Sequence, residues 1–149
     1  MKVILGKLAR TLSAGVFLLA TSCAFASDGL PPVQVSGKAE FISGGIGSDE
    51  SRAIKGASKN WPLVMEFSEK EGSRNVYASE VKIRATDAKG QIVMQSDSVG
   101  PFLLLRLEPG DYTVEATLEG KPMSKKATVV PGKSSRVIFS WSSGSSAAR

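Results

Sequence analysis

The sequence predicts a mainly β protein: seven short antiparallel strands forming a sandwich or barrel, preceded by one short strand and one short helix. Three observations predict it. From residue 63 onward, apolar and polar residues alternate in short runs. Gly- or Pro-bearing turn signals separate these runs roughly every ten residues, the spacing of antiparallel sandwiches and barrels. Only one stretch, beginning at Ser48, carries the cap and spacing of a helix.

Residues 1–26 read as an export signal. Lys2, Lys7 and Arg10 form a basic start, residues 14–20 (AGVFLLA) are apolar, and Ala24-Phe25-Ala26 is a small-x-small cleavage site. The apolar stretch falls short of the roughly 20 residues that a membrane helix needs, so no membrane span is expected. The protein is therefore expected to be periplasmic or secreted after cleavage near Ala26. The minor alternative is lipoprotein processing at Cys23, where Ala20 stands in place of the large aliphatic residue such sites use.

Residues 27–37, with Asp28-Gly29 and Pro31-Pro32, read as an extended leader. Residues 38–61 read as a strand-turn-helix prelude. Within it, residues 38–42 form a short strand and Ser43-Gly44-Gly45-Ile46-Gly47 a turn. In the helix Ser48 is the N-cap, and Asp49 and Glu50 favour the positive end of the dipole. Ala53, Ile54 and Ala57 share one face, and Trp61-Pro62 ends the helix. So short a helix holds only if Ile54 packs on something.

Residues 62–141 carry the sandwich. Leu63, Met65 and Phe67 line one face of the first strand. Val81, Ile83 and Ala85 alternate with Glu80, Lys82 and Arg84 in the clearest half-buried strand. Asp87-Ala88-Lys89-Gly90 turns it into residues 91–95, with Gly90 taking the positive φ. The apolar run 102–107 predicts a strand buried on both faces or a tight crossing. Tyr112, Val114, Ala116 and Leu118 alternate after Pro109-Gly110, residues 123–130 follow Glu119-Gly120-Lys121, and Val137, Phe139 and Trp141 close the domain. Residues 142–149 read as a flexible Ser/Gly/Ala tail.

Leu107-Glu108-Pro109-Gly110-Asp111-Tyr112-Thr113-Val114 resembles the L-x-P-G-x-Y-x-V signature of carboxypeptidase regulatory-like domains, the transthyretin-like (prealbumin-like) β-sandwiches. Val81-Lys82-Ile83-Arg84 with Asp87-Ala88-Lys89-Gly90 is similar to their hairpin, and Val137-Ile138-Phe139 before Trp141 to their closing strand. The resemblance implies a seven-stranded transthyretin-like, Ig-like sandwich over roughly residues 63–141. In it Tyr112 fills the core and its hydroxyl reaches backbone at the corner. Gly44-Gly45-Ile46-Gly47 with Asp49-Glu50 upstream is similar to a group of small exported proteobacterial proteins. The motif carries fold and no reactive group. Such sandwiches can pair through sheet edges, so a homodimer of that kind is open to this chain.

Charge and composition narrow the function classes. The 149 residues hold 19 Lys and Arg against 14 Asp and Glu, no His and one Cys, for a net charge of +5. Removal of the signal takes three bases and no acid, leaving 16 against 14 and a net charge of +2 over 123 residues. That is weak electrostatics for nucleic acid, and none is expected as a partner. Without His, Ser-His triads and His-bearing zinc sites are out. One Cys, lost with the signal, makes no redox pair.

The remaining candidates have bland rivals. Gly44-Gly45-Ile46-Gly47 before a helix invites a phosphate, but no Gly-Lys-Ser/Thr follows, and Asp49 and Glu50 would repel it. Adjacent Asp49 and Glu50 point apart and make no calcium loop. Glu66, Glu69, Glu71 and Glu80 sit among Lys70 and Arg74 with no spacing that forces two into one cleft. Lys121, Lys125, Lys126 and Lys133, near Phe139 and Trp141, could track a nucleic acid, but edge-strand lysines that deter aggregation explain them better.

The expectation is a non-enzymatic module for binding or structural support in the bacterial cell envelope, with no cofactor, no metal and no catalytic residues. Its partner would be an unidentified envelope protein or a glycan. The surface to test is Trp61, together with Gly45 and Asp49 on the loop 44–49 and Tyr77 on the loop 69–77. The alternatives are a carboxylate-based hydrolase or metal-dependent activity on Glu66 and Glu80, and a glycan or surface adhesion accessory using Trp61 or Tyr77.

Overall fold

The structure, a computed structural model, describes residues 29–142. The export signal, Cys23 and the tail beyond residue 142 lie outside the described residues. Ten strands form two sheets. The six-stranded sheet contains β1 (Gln34–Ser36), β2 (Ala39–Gly44), β3 (Leu63–Glu71), β4 (Arg74–Tyr77), β7 (Phe102–Arg106) and β10 (Ser135–Ser142), in the order β1-β2-β7-β3-β10 with β4 beside β3. The four-stranded sheet is β6 (Ile92–Asp97), β5 (Lys82–Asp87), β8 (Gly110–Leu118) and β9 (Lys121–Val129), in that order. Helix α1 (Ser48–Ala57), followed by a 3-10 turn at Ser58–Asn60, packs outside the larger sheet.

The mainly β sandwich is as expected, but its strand count and internal pairing differ. Eight strands follow Pro62 instead of seven, because residues 69–77 form a β3–β4 hairpin around Gly72 (φ 61) and not a loop. The leader contributes β1, and the prelude strand β2 lies inside the larger sheet, with Phe41 opposite Leu105. Nor is the sandwich wholly antiparallel: β3 and β10 run parallel from Leu63↔Ser135 to Lys70↔Ser142.

Two apolar layers follow from these pairings. Phe41, Leu63, Met65, Phe67, Leu103, Leu105 and Phe139 face the smaller sheet's Ile83, Ala85, Val114 and Ala116. On the other side of the larger sheet, Ile42, Val64, Phe102 and Leu104 meet Ile54 of α1 and Trp61. Strand β7 therefore buries both faces, which explains the unbroken Phe102–Leu105 run. Ile54 supplies the contact that lets a ten-residue helix persist.

Gly47 (φ 92), not Ser48, is the N-cap, and no side chain caps the helix directly. Glu50 instead accepts a hydrogen bond from the Gly45 N–H at 2.6 Å and pins the turn before the helix. The Asp87 carboxylate accepts from the Lys89 and Gln91 N–H groups, and Gly90 takes φ 79, so the β5–β6 hairpin closes as expected.

Both flanks of the sandwich are laced. On one, Lys125 Nζ donates to the Ile138 carbonyl at 2.6 Å, Trp141 Nε1 to that of Lys121 at 3.0 Å, and Ser135 Oγ to that of Thr128 at 2.8 Å. On the other, Lys38 N–H donates to the Val93 carbonyl at 2.9 Å and Ser36 Oγ to that of Gln95 at 2.6 Å. Side chains thus occupy backbone acceptors at the edges of β6, β9 and β10, which blunts strand addition there.

Candidate functional site

The four residues singled out for binding do not form one surface. Gly45, Asp49 and Tyr77 lie toward the end of the larger sheet where Gly44 pairs with Phe102, and Trp61 lies toward the opposite end. Helix α1 runs between the two.

At the first end, Tyr77 lies outward from Ser68 on β3, half-exposed, its ring edge-on to Phe102 with centroids 5.3 Å apart. Lys55 Nζ reaches across from α1 and donates to the Tyr77 hydroxyl at 3.1 Å, 5.4 Å from the Phe102 centroid. Gly45 (φ 100) packs so close to Phe102 that a Cβ would meet the ring at 2.5 Å. Val99 joins this end through its N–H, which Ser43 Oγ accepts at 3.0 Å. Ile46, Tyr77 and Val99 therefore project as exposed apolar side chains where the turn before α1, β4 and the segment before β7 converge. Asp49 stands apart, 91% exposed and, among the described residues, paired with Arg52 alone at 3.3 Å; it takes no part in this rim.

At the second end, Trp61 is buried, with the Arg106 guanidinium 4.3 Å from its ring centre and Glu40 holding Arg106 at 2.8 Å. Its main work is to cap the core beside the helix. One edge still borders a groove of about 340 Å³, lined with Lys59, Pro62, Leu107, Pro109, Val130 and Lys133 among others. Sequence reasoning missed this groove; the only available signal was that Pro109-Gly110 and Pro131-Gly132 both turn the chain there.

Past Pro109 the chain enters the corner that the L-x-P-G-x-Y-x-V segment predicts. Tyr112 is buried and its hydroxyl donates to the Glu108 carbonyl at 2.7 Å. Burial, then the negative charge of Glu108 and of Asp87, raises the Tyr112 phenol above its ordinary value near 10. A raised folded value means the neutral phenol is favoured by folding. That stabilisation is complete below pH of about 10 and is lost as pH rises through the folded value. Tyr112→Phe should remove this alkaline loss and cost about 1–2 kcal/mol at neutral pH. Thermal melts between pH of about 8 and 11.5 check both; an unchanged alkaline slope in the variant would refute the assignment.

The carboxylates considered for acid–base work are scattered. Glu66 faces outward beside Arg136 at 3.7 Å. Glu80 (φ 59) lines a separate cleft with Lys82 and Glu119 at the start of β5. Among the described residues, no three His, Cys, Asp or Glu side chains gather as metal ligands. The basic residues are dispersed too: Lys125 turns inward to the β10 edge, Lys126 sits opposite Thr113, and Lys133 lies on the groove.

The fold and its two ends define a class: a two-sheet, mixed β-sandwich with an external helix, an exposed apolar rim at one end and a lysine-flanked groove at the other. No family model and no curated protein matches the chain. No helix among the described residues is long and apolar enough to cross a membrane.

Proposed function

We propose that the protein is an exported, non-enzymatic binding module of the bacterial cell envelope, of the carboxypeptidase regulatory-like kind, which holds an envelope partner at the Ile46–Tyr77–Val99 rim. The observation that carries the reading is this rim. Three exposed apolar side chains, at 66%, 54% and 56% exposure, stand at the one end of the larger sheet where Gly44 pairs with Phe102. Grouped exposed apolar side chains mark interaction sites where single ones do not. Tyr77 also has the amphipathic ring that recurs at binding hot spots. The basic start, apolar stretch and Ala24-Phe25-Ala26 site support export, and the Tyr112 corner after Pro109-Gly110 supports the family.

The test is capture from the organism's own envelope extract with the purified protein as bait, beside Tyr77→Ala and Ile46→Ser baits. Truncating a hot-spot aromatic costs about 2 kcal/mol, roughly thirty-fold in affinity. The expected result is a specific envelope protein retained by the parent chain and lost with Tyr77→Ala. Recovery of nothing above a control bait, or equal recovery by both variants, would sink the reading. Selective binding to a glycan array, abolished by Tyr77→Ala, would move the partner to a carbohydrate.

A further inference from the structure

The groove beside Trp61 does not stand alone. Lys59 and Lys133 flank it, and neither forms an ion pair among the described residues. Its floor and walls are apolar: Pro62, Leu107, Pro109 and Val130, the last 39% exposed. Next to it, along the start of β8, opens a second cleft of about 640 Å³ that includes Asp87, Asp111 and Lys126. Gly110↔Val129 and Asp111↔Thr128 are successive pairs of one ladder, so groove and cleft are neighbours separated by the Pro109 turn. Glu108 belongs to that turn, close enough to raise the Tyr112 phenol. Two unpaired lysines on an apolar groove thus stand beside three carboxylates, with Lys126 as the base lining the cleft; Asp87 also accepts from the Lys89 and Gln91 N–H groups and Asp111 from the Thr128 hydroxyl at 2.7 Å.

We infer that this end of the sandwich binds a second copy of the chain, the lysine-flanked groove of each copy seated against the acidic cleft of the other. Two-fold association requires one patch complementary to itself, in which group i meets group j and j meets i. A basic half adjoining an acidic half meets that requirement, whereas a uniformly charged end would repel its copy. The laced flanks blunt strand addition at β6, β9 and β10. The Ile46–Tyr77–Val99 rim stays free at the far end, so this pairing is independent of the partner proposed above.

Light scattering on the purified protein tests it. A dimer is expected at about 0.01 M salt, where charges reach about 30 Å, and a monomer at about 1 M, where the range falls to about 3 Å. Lys59→Glu with Lys133→Glu should give a monomer at low salt, and Glu108→Lys with Asp111→Lys should do the same. An equimolar mixture of the two variants should recover the dimer mass, because both halves of the interface are then matched again. All four substituted positions are exposed, and circular dichroism melts verify folding. The salt series on the parent chain keeps the test decisive should a variant fail to fold. A parent chain that stays monomeric at low salt and about 1 mM protein overturns the proposal. So does a dimer indifferent to salt, or a mixture that stays monomeric with both variants folded.

Discussion

Phe67→Ala is expected to cost about 3–5 kcal/mol, the range for removing a large aromatic from a close-packed interior. Phe67 is fully buried and sits near the middle of β3, which pairs with β10 on one side and with β7 and β4 on the other. Its ring stacks on Phe139 at 5.8 Å and lies 6.5 Å from Trp141, and those two rings lie 6.1 Å apart. Truncation removes apolar contact, opens a cavity that rigid strands cannot close, and dissolves two aromatic pairs worth about 0.5–1.5 kcal/mol each beyond burial. Against a total stability of about 5–15 kcal/mol, the variant approaches the margin of folding. Phe67→Leu keeps most of the volume and should retain much of the stability. Urea unfolding compares them; a Phe67→Ala loss below about 1 kcal/mol would show that this stack does not anchor the core.

A single methyl group should have the next largest effect at Gly100. A Cβ there would overlap the carbonyl oxygen, carbonyl carbon and Cα of Gly44. Backbone cannot swing aside as a side chain does. Gly44 is held opposite Phe102, the Val99 N–H donates to Ser43 Oγ, and Ser98 Oγ donates to the Gly100 carbonyl. Relief therefore requires parting β2 from β7, and Gly100→Ala should cost about 3 kcal/mol, the upper part of the overpacking range. The same substitution at Gly56, in α1 with no heavy atom within 4 Å of the added carbon, should stabilise by about 0.5–1 kcal/mol through helix propensity. Melting temperatures moving in opposite directions confirm the contrast. A neutral Gly100→Ala would show that the β2–β7 end yields more readily than its hydrogen bonds imply.

Legibility in the sequence followed the range of the interaction. The Asp87–Gly90 turn, the alternation through β8 and the Tyr112 corner depend on residues within about one hairpin of each other, and each lies where its local pattern places it. Strand β4 was illegible because Arg74-Asn75-Val76-Tyr77 has no apolar period; it is a strand because β3 overruns β7 and offers an edge to pair with. The helix cap was misplaced by one residue because the Glu50 carboxylate serves the Gly45 N–H and Gly47 provides the entry. Tyr77 and Gly45 were singled out as members of two separate loops, yet their shared neighbour Phe102 comes from a distant strand.

Alternation, turn chemistry and apolar runs were enough, by themselves, to point to a sandwich or barrel of short strands with one short packed helix, and they left the 102–107 run as either a strand buried on both faces or a tight crossing. These features are local: a side chain's face follows from its position in a repeat of two, and a turn from the backbone freedom of a few residues. Tertiary structure alone decided the parallel β3–β10 pair, the laced flanks, the separation of Trp61 from Tyr77 and the joining of Lys59 with Lys133. Each of these depends on which distant edges meet, and edge backbone atoms are chemically alike along every strand. Only simultaneous burial of both apolar layers selects among the pairings, so the rim and the groove came into view with the fold.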